Sequence, residues 1–207
     1  DRKGHRMLKT IWNSPYTFWA LIALPSLGMM AGAFSGEDLH ELLHPTGEFA
    51  ARFMIIAMML TPLKMLFPKS GVIHWLMRRR RYLGVAAFGY AALHTLYYVL
   101  DLGSMSAILR EFTELGIWTG WLAFLIFVPL ALTSNNWSVR TMGAGWKTLQ
   151  RFTYVAAVAT LAHWIFLEYE IGAAMVHFVP LAALEAYRIW RNMKLTDQAK
   201  PAQKVSA

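Results

Sequence analysis

The sequence predicts an all-α integral membrane protein, a bundle of six transmembrane helices with both termini in the cytoplasm. Three observations lead there. Hydrophobic residues make up 57% of the chain, mean hydropathy is +0.37, and only 15% of residues are charged. The apolar residues gather into six runs of about eighteen to twenty, the length that crosses a hydrocarbon core of roughly 30 Å. The charges between the runs sort by sign, as the positive-inside rule requires.

Lys and Arg number four in the N-terminal segment, six from Lys64 to Arg81, three from Arg140 to Arg151 and five from Arg188 onward, eighteen of the twenty. Nine of the twelve acids (Glu37, Asp38, Glu41, Glu48, Asp101, Glu111, Glu114, Glu168 and Glu170) fall in the alternate segments. The basic segments are therefore cytoplasmic and the acidic ones lie outside. A net charge of +8 distributed this way speaks for topology and lipid, not for nucleic acid as a partner.

Residues 1–15 form a basic cytoplasmic segment, with Arg2, Lys3, Arg6 and Lys9. The first span, 16–34, is interrupted only by Pro25. It is long for a signal-peptide core and no small-x-small cleavage site follows, so it reads as a retained helix. Residues 35–46 are an acidic outer connection in which His40 and His44 stand four apart, on one face if helical. The second span, 47–66, carries Arg52 in its first third. A basic loop, 67–81, ends in the run Arg78–Arg81 and opens the third span, 82–101. A polar connection, 102–115, leads to the fourth span, 116–133, and a second basic loop, 134–151, to the fifth, 152–169. A tight turn at 168–172 joins it to the sixth, 173–190. The transmembrane domain thus covers 16–191, and the Lys-, Gln- and Ala-rich tail, 192–207, has the composition of a partly disordered segment. No internal repeat is evident.

Between Arg81 and Asp101, His94 is the one side chain that ionises near neutral pH, and an intramembrane imidazole is costly unless partnered. The fifth span carries His163. Both spans run outward, and His94 lies thirteen residues beyond Arg81 while His163 lies twelve beyond Arg151. At 1.5 Å per residue each ring stands roughly 18–20 Å above the basic edge. Two imidazoles at matched depth form a clamp for haem iron, which takes axial ligands on opposite faces. The chain has no Cys, so thiolate-held clusters, disulfides and c-type attachment are excluded and the haem would be non-covalent, type b. The bland alternative is a pair of satisfied core histidines. A zinc or non-haem iron site would need a further ligand at that depth, for which His177 is the candidate.

The segments TGEFAARF (46–53), LTPLK (60–64), RRYLGVAAFGYAALH (80–94), LALTSN (130–135) and WKTLQRFTYVAAVATLAH (146–163) resemble the MsrQ (YedZ) family of haem-binding membrane subunits, part of the ferric-reductase-like transmembrane superfamily. The resemblance spans residues 40–190. It implies a six-helix cytochrome b of the bacterial inner membrane that passes electrons to MsrP, a periplasmic molybdenum-cofactor enzyme reducing methionine sulfoxide in proteins. It implies the quinone pool or a cytosolic flavin reductase as donor, with flavin or quinone as a further bound group. Two-haem members of the superfamily carry a second, inner histidine pair on the same two helices. Those positions read here as Arg80 and Gln150, neither a usual haem ligand, so one outer haem is expected. A second haem held by another pair, such as His44 with His177, is the alternative.

Arg52 stays open between the haem propionates, an ion pair with Glu48 four residues before it, and snorkelling outward. His44 matches a family position before the TGE run, which implies contact with a propionate or a partner protein; a solvated loop histidine is the plain alternative. His40 has no motif behind it, and His5 and His74 lie at the cytoplasmic edge. The four-arginine run reads as a topology determinant facing anionic lipid, with docking of a flavin or soluble reductase as the other reading. No glycine-rich dinucleotide fingerprint is present, so the chain reads as an electron-transfer subunit without its own substrate-reducing domain. Two other classes stay open: a stand-alone quinol or ferric-type oxidoreductase, and a non-redox accessory subunit of a larger membrane complex.

Overall fold

A computed structural model describes residue 10, residues 12–168 and residues 171–204. The basic segment before residue 10, with His5, the centre of the turn at 169–170, and residues 205–207 lie outside the described residues. Within them, every regular element is a helix: α1 (Pro15–Phe34), α2 (Leu39–Leu66), α3 (Gly71–Leu102), α4 (Met105–Glu111), α5 (Leu115–Leu132), α6 (Asn136–Met142), α7 (Ala144–Gln150), α8 (Thr153–Glu168) and α9 (Ile171–Lys204). Four of them, α1, α2, α3 and α5, are long and apolar enough to cross a membrane. The fold is all-α and multi-span. Of the two further expected spans, α8 has 16 residues, and the apolar half of α9 gives way to Glu185, Arg188, Arg191 and Lys194 before the helix ends at Lys204.

The spans begin earlier than hydropathy alone suggests. The acidic connection expected at 35–46 shrinks to a turn, because Asp38 accepts the His40 N–H at 3.0 Å and starts α2 at Leu39. Asp38 and Glu41 have capping-box spacing, and the negative charge suits a helix N-terminus. The expected basic loop at 67–81 shortens likewise, since Ser70 caps α3 through the Ile73 N–H. The four arginines therefore sit inside a helix, where successive side chains turn by about 100°. Arg79 donates to the Asn13 carbonyl at 2.8 Å and lies 3.9 Å from the Trp75 ring, Arg80 donates to the Ala57 carbonyl at 2.7 Å, and Arg81 donates to Asn136 Oδ1 at 2.7 Å. The run ties α3 to three other parts of the molecule.

The most extensive pairings are α2 with α3 and α5 with α8. Contacts of α3 with α5 and of α2 with α8 join the two pairs, α9 covers α2 and α8, and α1 covers α2 and α3. Met54, Ile55 and Met58 of α2 meet Phe127 and Leu130 of α5, Ala156 and Trp164 of α8, and Phe178 of α9 in one core. A second cluster sets Phe18 and Ile22 of α1 against Leu60 and Leu83. Where Pro25 breaks the α1 ladder, Tyr90 repairs it. Its hydroxyl accepts the Ser26 N–H and donates to the Ile22 carbonyl, both at 2.9 Å, the two groups an unbroken helix would join directly.

Candidate functional site

Two half-buried imidazoles meet where the two helix pairs face each other. His94 comes from α3 and His163 from α8, with ring centroids 5.9 Å apart and planes at 85°. His94 Nδ1 stands 2.9 Å from the Leu43 carbonyl oxygen and 3.3 Å from Thr46 Oγ1. His163 Nδ1 stands 2.7 Å from the Gly116 carbonyl oxygen. A carbonyl only accepts, so each Nδ1 carries the proton it donates, and in the neutral ring the lone pair is then on Nε2. This is the arrangement of a metal-binding histidine, whose far nitrogen is anchored by an outer acceptor.

The spacing suits one ion between the rings. A metal–imidazole bond of roughly 2 Å puts each ring centroid about 3 Å from the ion, hence two opposed rings about 6 Å apart. The cleft around them is walled by Ala51, Trp121, Phe124, Phe127 and Trp164, with Glu48 and His44 at its rim. Apolar and aromatic walls suit a flat hydrophobic cofactor. The indole Nε1 of Trp164 is buried without a hydrogen-bond partner among the described residues.

Arg52 pairs with Glu48 and, through Nε, donates to His177 Nε2 at 3.2 Å. His177 completes this by donating from Nδ1 to the Ala173 carbonyl at 2.8 Å and packing on Trp164, 5.3 Å between ring centroids. His44 Nε2 lies 4.0 Å from Glu48 Oε2. His44, Glu48, Arg52 and His177 thus form one polar chain. Among the described residues no group of three His, Asp or Glu side chains is placed to hold a metal ion, and His177 meets Arg52 with the nitrogen a metal would need. His40 Nδ1 stands 3.2 Å from Asp101 Oδ2, linking the start of α2 to the end of α3.

Four residues at the site were not singled out in the sequence, although Thr46 and Gly47 open the TGEFAARF segment. A methyl group placed on Gly47 would stand 3.1 Å from His94 Nδ1, and one on Gly120 only 2.6 Å from His163 Nδ1. Each ring therefore lies on a bare patch of the neighbouring helix. Thr46 and Thr119 precede these glycines, and both are buried. The signal was the dipeptide Thr-Gly at 46–47 and again at 119–120.

Residues 46–161, more than half the chain, match the family described as ferric reductase like transmembrane component. The chain belongs to that family. It is similar to the subunits called protein-methionine-sulfoxide reductase heme-binding subunit MsrQ from Brucella ovis, Brucella canis and Brucella suis. Each is 35% identical over 163 residues, which cover 77% of this chain and 71% of the relative. No solved structure matches the chain. As a ferric-reductase-like protein with four helices able to cross a bilayer, it is a multi-pass protein of the bacterial inner membrane.

Elsewhere in this ferric-reductase-like bundle, Arg80 and Gln150 border a second cavity of about 520 Å³. Neither presents an imidazole. Arg80 is held by the Ala57 carbonyl, and Gln150 Nε2 donates to the Leu130 carbonyl at 3.2 Å. Arg81, Lys147 and Arg151 add positive charge to the lining, while Arg188, also in it, is paired with Glu185 at 3.0 Å. Trp146 and Tyr154 supply aromatic surface.

Proposed function

We propose that this chain is a b-type cytochrome subunit with six membrane spans and both termini in the cytoplasm, α8 and α9 being the fifth and sixth spans. In this reading His94 and His163 hold one haem near the outer face. The chain relays electrons outward to a periplasmic molybdenum-cofactor reductase of methionine sulfoxide. The observation that carries it is the pair of imidazoles 5.9 Å apart, each with Nδ1 set on a carbonyl. Similarity to subunits named as the haem-binding component of a methionine-sulfoxide reductase supports the relay role. Bound there, haem supplies one-electron redox chemistry.

The chain's own residues do the rest. Leu43 and Gly116 fix the tautomer of each histidine through their carbonyls. The aromatic walls exclude water, and in that low dielectric the charge at the site is governed by the protein's own dipoles. His44 and Glu48 line the rim of the cleft; Arg52, outside that lining, is ion-paired with Glu48 and would meet a haem propionate only if that carboxylate displaced Glu48. On the inner side, the basic cavity beside Arg80 and Gln150 suits the donor. Its positive charge and aromatic faces fit a quinol or a flavin carrying phosphate.

A reduced-minus-oxidised spectrum of the purified protein, with haem-to-protein stoichiometry, tests the reading. Type-b bands at a ratio near one are expected, abolished by His94→Ala and by His163→Ala. Bands that survive both substitutions would sink the ligand assignment, and a ratio near two would overturn the single haem.

A further inference from the structure

The two halves of the histidine site are built the same way. On α2, the single Thr46 hydroxyl proton is shared between the Leu42 carbonyl, at 2.7 Å, and the Leu43 carbonyl, at 2.9 Å, and the hydroxyl oxygen also stands 3.3 Å from His94 Nδ1. On α5, the single Thr119 hydroxyl proton is shared between the Leu115 carbonyl, at 2.7 Å, and the Gly116 carbonyl, at 2.9 Å. In each case the second of these carbonyls is the one that also receives the histidine Nδ1–H, 2.9 Å from His94 and 2.7 Å from His163. In each case the residue after the threonine is the glycine on which the imidazole lies. That glycine stands four residues after the shared carbonyl, on the same helix face. One cassette occurs twice: a Thr-Gly step on one helix, a histidine on its closest partner, and a carbonyl shared between hydroxyl and ring.

We propose that Thr46–Gly47 and Thr119–Gly120 are a duplicated positioning device for the two histidines, and that the threonine hydroxyls tune the bound iron. This rests on the reading of His94 and His163 as haem ligands. The glycines set where each ring sits, since any side chain at Gly120 collides with His163. The hydroxyls act through the carbonyl. An acceptor on Nδ1–H makes an imidazole a more basic ligand, and more basic ligands favour the oxidised iron. A threonine that donates to the same oxygen draws on its lone-pair density and weakens that pull. The back-bonded threonines thus hold the potential up, through the shared carbonyl on each helix pair. A threonine that merely packs in an apolar helix would also bond its own i−4 carbonyl, so stability alone cannot separate the two roles.

The test compares full-length Thr119→Val and Thr119→Ser with wild type, and Thr46→Val and Thr46→Ser as the mirrored pair. Midpoint potential is measured by redox titration, and ligand geometry by the g-values of the ferric protein. The valine variants are expected to shift the potential downward and alter the g-values, and the serine variants to return both toward wild type. Haem loss in the valine variants that serine restores supports the same role. An unchanged or raised potential, or haem loss in the serine variants as well, overturns the proposal. His163→Ala in the same series keeps the two failures apart. If that variant retains type-b bands, the ligand assignment is wrong. If it loses them while Thr119→Val leaves potential and g-values unmoved, the positioning role alone falls.

Discussion

Gly120 shows how a residue without a side chain can specify a site. At 2.6 Å from His163 Nδ1, an added methyl group is inside any van der Waals contact, whereas at Gly47 the corresponding 3.1 Å to His94 is only tight. Overpacking of this kind costs about 1–3 kcal/mol when nothing yields. Here the ring is what must yield, so the loss appears first in cofactor binding. Gly120→Ala is expected to lower haem occupancy more than Gly47→Ala, measured as Soret absorbance per protein after purification with haem in excess. Equal occupancy in the two variants would mean that the rings are not held against these glycines. Tyr90 makes a second residue-scale case. Its hydroxyl joins Ser26 N–H to the Ile22 carbonyl across the gap at Pro25. Tyr90→Phe leaves two backbone groups without that bridge, and thermal unfolding in detergent should show a loss of about 1–3 kcal/mol with the haem spectrum unchanged.

At the scale of elements, the α5–α8 pairing positions His163. A methyl group on Gly116 would meet the Leu167 backbone nitrogen and the Phe166 carbonyl carbon at 3.3 Å, backbone atoms that cannot swing aside. A branched side chain must therefore push α8 away from α5. Gly116→Val is expected to lose haem, although residue 116 contributes only a carbonyl to the site; full occupancy in that variant would contradict the pairing. Much of this scale was legible in the sequence. The apolar runs locate α1, α3 and α5, and the matched depth of His94 and His163 brings their rings together. What hydropathy missed were helix starts that lie in polar sequence, because capping is a hydrogen-bond property: Asp38 and Ser70 begin α2 and α3 inside segments that read as loops. The arginine run was misread as a loop for the same reason. The repeated cassette was hidden because it is two residues long in each copy, and only folding brings each Thr-Gly step beneath a histidine from elsewhere in the chain.

At the scale of the whole molecule, the question is whether α8 and α9 cross the bilayer as α3 and α5 do. At 1.5 Å per residue, the 16 residues of α8 span about 24 Å, short of the roughly 30 Å core. Two observations support the proposal that it lies in the membrane. Its His163 meets His94 of α3, a helix long and apolar enough to span. The surface of α8 and α9 that faces away from the bundle carries Val155, Val158, Val176 and Val179, all exposed. In water such a face would invite association, whereas in lipid it costs nothing. The 34 residues of α9 reach about 51 Å, enough to cross and continue into the cytoplasm with Arg188, Arg191 and Lys194 at the inner edge. Paired reporters, one active only in the periplasm and one only in the cytoplasm, decide this when fused after residues 68, 104, 143, 170 and 207. The expected sides are cytoplasm, periplasm, cytoplasm, periplasm and cytoplasm. A cytoplasmic signal at 170 would remove α8 from the membrane and, with it, the outward-running pair of helices on which the matched depth of the two histidines depends.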